Sequence, residues 1–179
     1  MQNIVSIRTS WDAPSLADHI SRITKARSVQ IRNRFYYPYY FVQYRLRGKM
    51  LFMRVNKRVG CTVDLVSGRE ALVDAPLEPC RETVPRDSVL EGNLTELNAR
   101  ERAKSYVYYA VSMKIKLLGS VELIQERELL YHRPFWLVTC EWPDEEPISI
   151  IVDGVSGRFH PLPDRESDYM FTNGTSDFS

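Results

Sequence analysis

The 179-residue chain has little of what marks several protein classes. It has three cysteines, Cys61, Cys80 and Cys140, with no Cys-x-x-Cys pair. An odd, scattered set argues against a disulfide framework. No apolar leader follows Ile4 to Arg8, so a reducing, cytoplasmic setting is the expectation. A zinc site needs about four closely spaced ligands, and His19, His132 and His160 stand singly, so no metal is expected. The 8 glycines form no phosphate loop and no Gly-x-Gly-x-x-Gly fingerprint. There is no Gly-x-Ser-x-Gly elbow. No apolar run approaches the roughly 20 residues that cross a bilayer. Neither a cofactor, a membrane partner nor an enzymatic activity is expected. The chain is nevertheless 44% hydrophobic and 26% charged, which supplies a folded core.

One further absence is local. Between His19 and Val63 there is no Asp or Glu. Eleven of the 24 cationic side chains fall there, leaving 13 to face all 23 acidic ones elsewhere. Such asymmetry suits an anionic partner. It equally suits docking on the acidic remainder, within one chain or between two copies in a homo-oligomer.

What is present divides into segments. Ile4 to Arg8 reads as a short strand. Thr9, Ser10 and Asp12 offer cap-type residues and Pro14 suits the first turn of a helix to about residue 27, with Leu16, Ile20 and Ile23 on one stripe. Val29 to Leu46 is aromatic and β-branched strand material. Pro38 should sit between strands, at a bulge or on an edge. Arg47-Gly48-Lys49 reads as a hairpin turn, Met50 to Val55 as the return strand and Asn56 to Gly60 as a second turn. Cys61 to Leu65 and Arg69 to Val73 flank Val66-Ser67-Gly68. Residues 75 to 93 carry Pro76, Pro79, Pro85 and Gly92 and read as a linker. Leu94 to Leu118 is the longest helix, with Leu97, Ala103, Val107, Ala110, Val111, Lys114 and Leu118 near one stripe and Gly119 as its stop. Strands are expected at Val121 to Glu128, Phe135 to Trp142 and Ile148 to Val152. An acidic loop, Pro143 to Pro147, joins the last two, and the polar tail from Pro161 is expected to be flexible.

The chain repeats itself. Pro38-Tyr39-Tyr40-Phe41-Val42 and Pro134-Phe135-Trp136-Leu137-Val138 are offset by 96 residues. Val63-Asp64-Leu65-Val66-Ser67-Gly68-Arg69 and Val152-Asp153-Gly154-Val155-Ser156-Gly157-Arg158 are offset by 89. The seven residues between the two offsets fit an additional short turn near Asn56 to Gly60 in the first copy. Asp64 and Asp153 can accept backbone N–H groups two residues on, and Gly68 and Gly157 can take positive φ. These four read as structural corner residues, which is the preferred reading over Ser67 or Ser156 as a nucleophile.

A helix, a strand ending in an aromatic-Val segment and a strand closing on Val-Asp-x-x-Ser-Gly resemble the PepSY domain family. The second copy follows the pattern more closely than the first, which departs from it in Pro38, its inserted turn and its positive charge. The resemblance covers roughly residues 14 to 73 and 94 to 160. It implies modules that bind or restrain partner proteins without catalytic residues of their own.

The expected fold class is therefore α+β, with two tandem pseudo-repeated units, each a helix on a small antiparallel sheet. The divisions are 1–75, a linker at 76–93, 94–162 and a tail at 163–179. The expected function is a non-enzymatic protein- or peptide-binding or regulatory module that uses a sheet edge or a groove between units. The alternative is a nucleic-acid or polyanion binder built on Arg32, Arg34, Tyr37, Tyr39, Arg45, Arg47, Lys49 and Arg54. There, bases would stack on aromatic faces for about 1–3 kcal/mol each while the cations meet phosphates. Glu126, Glu128, Glu141 and the Asp144 to Glu146 run read as solvated charge, in preference to an acid/base pair.

Overall fold

The computed structural model describes residues 1–49, 54–74, 77–114 and 121–162. It is a mixed α+β fold. β1 (Gln2–Ile7) matches the first expected strand. α1 (Ala13–Thr24) begins at a capping box. The Asp12 carboxylate accepts the Ser15 N–H at 2.8 Å, and the Ser15 hydroxyl accepts the Asp12 N–H at 3.2 Å. This satisfies two N–H groups that the first helical turn leaves without partners. Lys25 ends the helix at φ 58°. Leu16 and Ile20 are buried, whereas Ile23, expected on the same stripe, is exposed.

β2 (Ser28–Lys49) runs unbroken for 22 residues, through the proline expected to interrupt it. Its ladder with β3 (Arg54–Asp64) starts at the Tyr39–Asp64 rung, so Pro38 lies one residue outside it. The missing N–H therefore costs no rung on that edge. The expected turn at Arg47 to Lys49 is also strand, because Arg47, Gly48 and Lys49 stand opposite Asn56, Val55 and Arg54. Asn56 to Gly60, expected as a second turn, lies inside β3. The first copy's additional residues thus lengthen a hairpin. Met50 to Met53 lie outside the described residues.

β4 (Glu70–Val73) pairs with β3. The expected linker holds β5 (Pro79–Val84) and a 3-10 turn at Arg86–Ser88. α2 (Glu96–Lys114) follows, and the end expected at Leu118 lies outside the described residues. β6 (Val121–Glu141) is one strand of 21 residues where two were expected. β7 (Ile148–Asp153) pairs with β6, and β8 (Phe159–Pro161) with β7. Pro161, assigned to the tail, is therefore strand; residues 163–179 lie outside the described residues. Hydrogen-bonded neighbours run β4, β3, β2, β6, β1, β5, with β7 also on β6. No helix among the described residues is long and apolar enough to cross a membrane.

Two compact units result, and they interleave the chain where a sequential division at 1–75 and 94–162 was expected. The first gathers Met1–Tyr37, Cys80–Leu90 and the chain from Arg133. In it α1 lays Leu16 and Ile20 on Val138, Cys140, Ile150 and Val152 of β6 and β7. The second gathers Pro38–Pro79 and Glu91–His132. There Ala99, Ala103, Val107 and Val111 of α2 pack on Tyr40, Val42, Tyr44, Leu46, Cys61 and Val63 of β2 and β3. That spacing of four keeps one helix face toward the sheet. Its small members leave room for two fully buried tyrosines. Leu97, expected on the stripe, sits two residues from Ala99, about 200° around the helix, and is 60% exposed. Each helix therefore covers strands contributed by the other half of the chain.

Candidate functional site

The Asp-x-x-Ser-Gly-Arg corners are built alike. Asp64 accepts the N–H of Val66 at 2.8 Å, and Asp153 that of Val155 at 2.9 Å. The hydroxyls of Ser67 and Ser156 donate to the same carboxylates at 2.6 and 2.7 Å. The N–H groups of Gly68 and Gly157, at φ 75° and 70°, donate to the Asp64 and Asp153 carbonyls at 2.8 Å each. Asp64 N–H reaches the Arg69 carbonyl at 2.9 Å, and Asp153 N–H the Arg158 carbonyl at 2.8 Å. Both serines are committed to their corners. The approach to each helix is tied to a corner too: Asn93 and Leu94 donate to the Leu65 carbonyl at 2.8 and 3.0 Å, and Ser10 to that of Gly154 at 3.0 Å.

These corners set the ladders of the last strands. Antiparallel rungs alternate between hydrogen-bonded and open pairs. Since Asp64 bonds Arg69, the next bonded rung is Thr62–Ala71, and Glu70 and Leu72 turn their backbone polar groups outward. The same count from Asp153–Arg158, checked by Leu162 N–H on the Ser149 carbonyl at 2.9 Å, turns Phe159 and Pro161 outward on β8. A proline facing outward offers no N–H, which blunts that edge. β4 carries no such block. Among the described residues no strand pairs with its outer edge.

Beside β4 lies an open groove of about 480 Å³, lined by Glu70 and by Leu94, Asn98, Glu101, Arg102, Ser105, Tyr106 and Tyr109. Arg102 ties its two walls together. It donates to the Gly68 carbonyl at 3.2 Å and lies 3.5 Å from the Glu70 carboxylate. Tyr108, Tyr109 and Met113, 55–70% exposed, extend the apolar surface of α2 away from its core stripe. Sequence reasoning assigned none of these residues to a site. The available signal was the excess of Tyr106, Tyr108, Tyr109 and Met113 outside the 99/103/107/111 stripe.

The basic aromatic segment is placed differently from a stacking platform. Arg32 donates to the Thr139 hydroxyl at 3.0 Å. Arg34 pairs with Glu82 at 3.4 Å and lies over the rings of Tyr36 and Trp136. Tyr36, Tyr40 and Tyr44 are fully buried. Tyr37 meets Phe135 edge-on at 6.0 Å, and Tyr39 stacks on Tyr131 at 5.6 Å. Arg45 and Arg58, opposite each other across the ladder, both bond Glu126. Arg47 is exposed, and the backbones of Lys49 and Arg54 pair in the last described rung of the ladder. Part of the positive charge is thus neutralised inside the chain, and the tyrosines fill cores and ring pairs.

Burial and hydrogen bonding set the protonation of the remaining polar groups. Desolvation pushes the Tyr44 phenol up to about 12, and its hydroxyl has no hydrogen-bond partner among the described residues. Burial likewise raises the Tyr40 phenol, reinforced by its donation to Glu128. Arg100 bonds both Tyr40 and that carboxylate, its Nε 2.8 Å from Glu128. Burial pushes the Cys61 thiol up to about 12 and raises those of Cys80 and Cys140. All three are protonated at neutral pH and are poor nucleophiles.

No family model matches the chain, and no curated protein or solved structure is similar to it.

Proposed function

We propose that the chain is a non-enzymatic peptide-binding or regulatory module that takes an extended segment of a partner protein along β4, in the groove beside α2. The observation that carries this reading is the pairing of an open backbone edge, at Glu70 and Leu72, with an adjacent groove lined by the half-buried Tyr106 and the exposed Tyr109. Strand addition draws affinity from main-chain hydrogen bonds and specificity from pockets that meet alternate side chains. The blunted edge of β8 supports the choice of β4 over its counterpart.

The same reading includes a doubled motif, PepSY-like in its second copy. The offset of 96 residues between Tyr39 and Phe135, and of 89 between Asp64 and Asp153, recurs in the rungs Tyr39–Asp64 and Phe135–Asp153. The matched corners and the two proline carbonyls, Pro38 accepting Leu65 N–H at 3.1 Å and Pro134 accepting Gly154 N–H at 2.9 Å, support a common plan. In that plan the two copies have exchanged helices.

The test is selection from a random peptide library displayed on phage, followed by amide hydrogen exchange on the chain with a selected peptide. Protection is expected at Glu70 and Leu72, with little change at Ala71 and Val73, whose amides already face β3. Protection confined to other strands would contradict the reading.

A further inference from the structure

The groove beside β4 holds two unlike subsites. Leu72 packs with Tyr106 on the core under α2. The Glu70 carboxylate lies 3.5 Å from Arg102. Both β4 side chains therefore point toward the helix, as alternate residues of a strand do. α2 and β4 also advance in step. Arg102 to Tyr106 rises about 6 Å at 1.5 Å per residue, and Glu70 to Leu72 about 6.8 Å at 3.4 Å per residue. Beside Glu70 the lining is charged, with Glu101 and Arg102. Arg102 is committed to Glu70 and to the Gly68 carbonyl. Glu101 is exposed and makes no ion pair among the described residues. Two carboxylates thus meet one guanidinium, which leaves an excess of one negative charge. From Tyr106 onward the lining is aromatic, with Tyr106 and Tyr109.

We propose that, given strand addition at β4, the partner segment carries Lys or Arg beside Glu70 and an aliphatic or aromatic residue two positions away, beside Leu72. Residues that stand opposite each other on neighbouring strands share a face. The two partner residues beside Glu70 and Leu72 therefore both point at α2 and meet the two subsites, whereas the residue between them points away from the helix. A cation balances the charge left by Glu101. An apolar side chain covers the rings of Tyr106 and Tyr109. An acidic segment would instead bring a third carboxylate to the first subsite, where like charges repel.

The test is parallel selection of phage-displayed peptides on the full chain and on its Glu101→Lys and Glu96→Lys variants. Both positions are exposed on α2, and of the two only Glu101 lines the groove. The wild type and Glu96→Lys should select Lys or Arg two positions from an aliphatic or aromatic residue. Glu101→Lys should select Asp or Glu in place of that cation and keep the apolar residue. In a peptide selected on the wild type, Gln in place of the cation should weaken binding about two- to fivefold, the range of an exposed ion pair. The same change should leave binding to Glu101→Gln unaltered. Peptides that protect the Glu70 and Leu72 amides from exchange, yet show the same charge preference on the wild type and on Glu101→Lys, would overturn the proposal and leave strand addition standing. Peptides that protect neither amide would overturn both.

Discussion

Arg133 forks onto Asp153, its Nε donating to Oδ1 at 3.0 Å and a terminal nitrogen to Oδ2. Burial alone would raise the Asp153 carboxyl. Bonds from Arg133, Ser156 and the Val155 N–H outweigh it and hold the group below the ordinary carboxylate range. A depressed folded-state value adds stability that is present above the unfolded-state value, near 4, and is lost as pH falls through the folded-state one. Asp153→Asn should cost about 1–3 kcal/mol at pH 7, since it removes a charge-assisted fork. The gap between wild type and variant should narrow as pH falls below about 4. Urea titrations at pH 7 and pH 3 check this; a gap independent of pH would contradict it.

The corner glycines should differ in cost when each is given a methyl group. Both occupy left-handed backbone, which penalises a Cβ by roughly 1–2 kcal/mol. At Gly157 the added carbon would also lie 3.1 Å from three atoms of the Trp11 indole, a rigid ring. At Gly68 the nearest atom is the Arg102 Nη1 at 3.1 Å, the far end of a flexible chain. Gly157→Ala should therefore destabilise more than Gly68→Ala, by about 1 kcal/mol on the usual cost of crowding a packed site. Equal midpoint shifts in urea would count against the indole contact.

Much of the local structure was legible in the chain. The corners followed from Asp, Ser and Gly at fixed offsets, because Asx turns and positive φ depend on a few neighbouring residues. That a helix opens after a cap-type residue at Thr9, Ser10 or Asp12 was legible for the same reason, but the choice of Asp12 and its box with Ser15 came from the structure. Two things were not. Pro38 looked like a strand break because a lost N–H matters only where a ladder needs it, and ladder ends are set by the corner at Asp64, 26 residues away. The partner of each helix was also hidden. Leu16 and Ile20 announce an apolar face but not which strands meet it, since the strand pairs at Val42–Cys61 and Val138–Ile150 are equally apolar. The groove residues were missed because Tyr106 and Tyr109 read as generic helix content until the core stripe was known.

Tyr109 separates binding from folding. It is 61% exposed and lines the groove. Tyr109→Ala should change stability by less than about 0.5 kcal/mol, as surface changes usually do. It should weaken a selected peptide by tenfold or more, as loss of an aromatic anchor does. Calorimetric titration of the peptide into both proteins checks this; unchanged affinity would move the binding surface elsewhere.

The groove exists because α2, from the second half of the chain, packs on β3 and β4 from the first. The most direct test is to place a protease site between Asp74 and Leu77, cut the folded protein and pass the product through a sizing column in native buffer. The account predicts that the two pieces stay together, keep the helical circular dichroism of the uncut chain, and separate only in denaturant, after which neither refolds alone. Two pieces that part in native buffer, each folded, would contradict it.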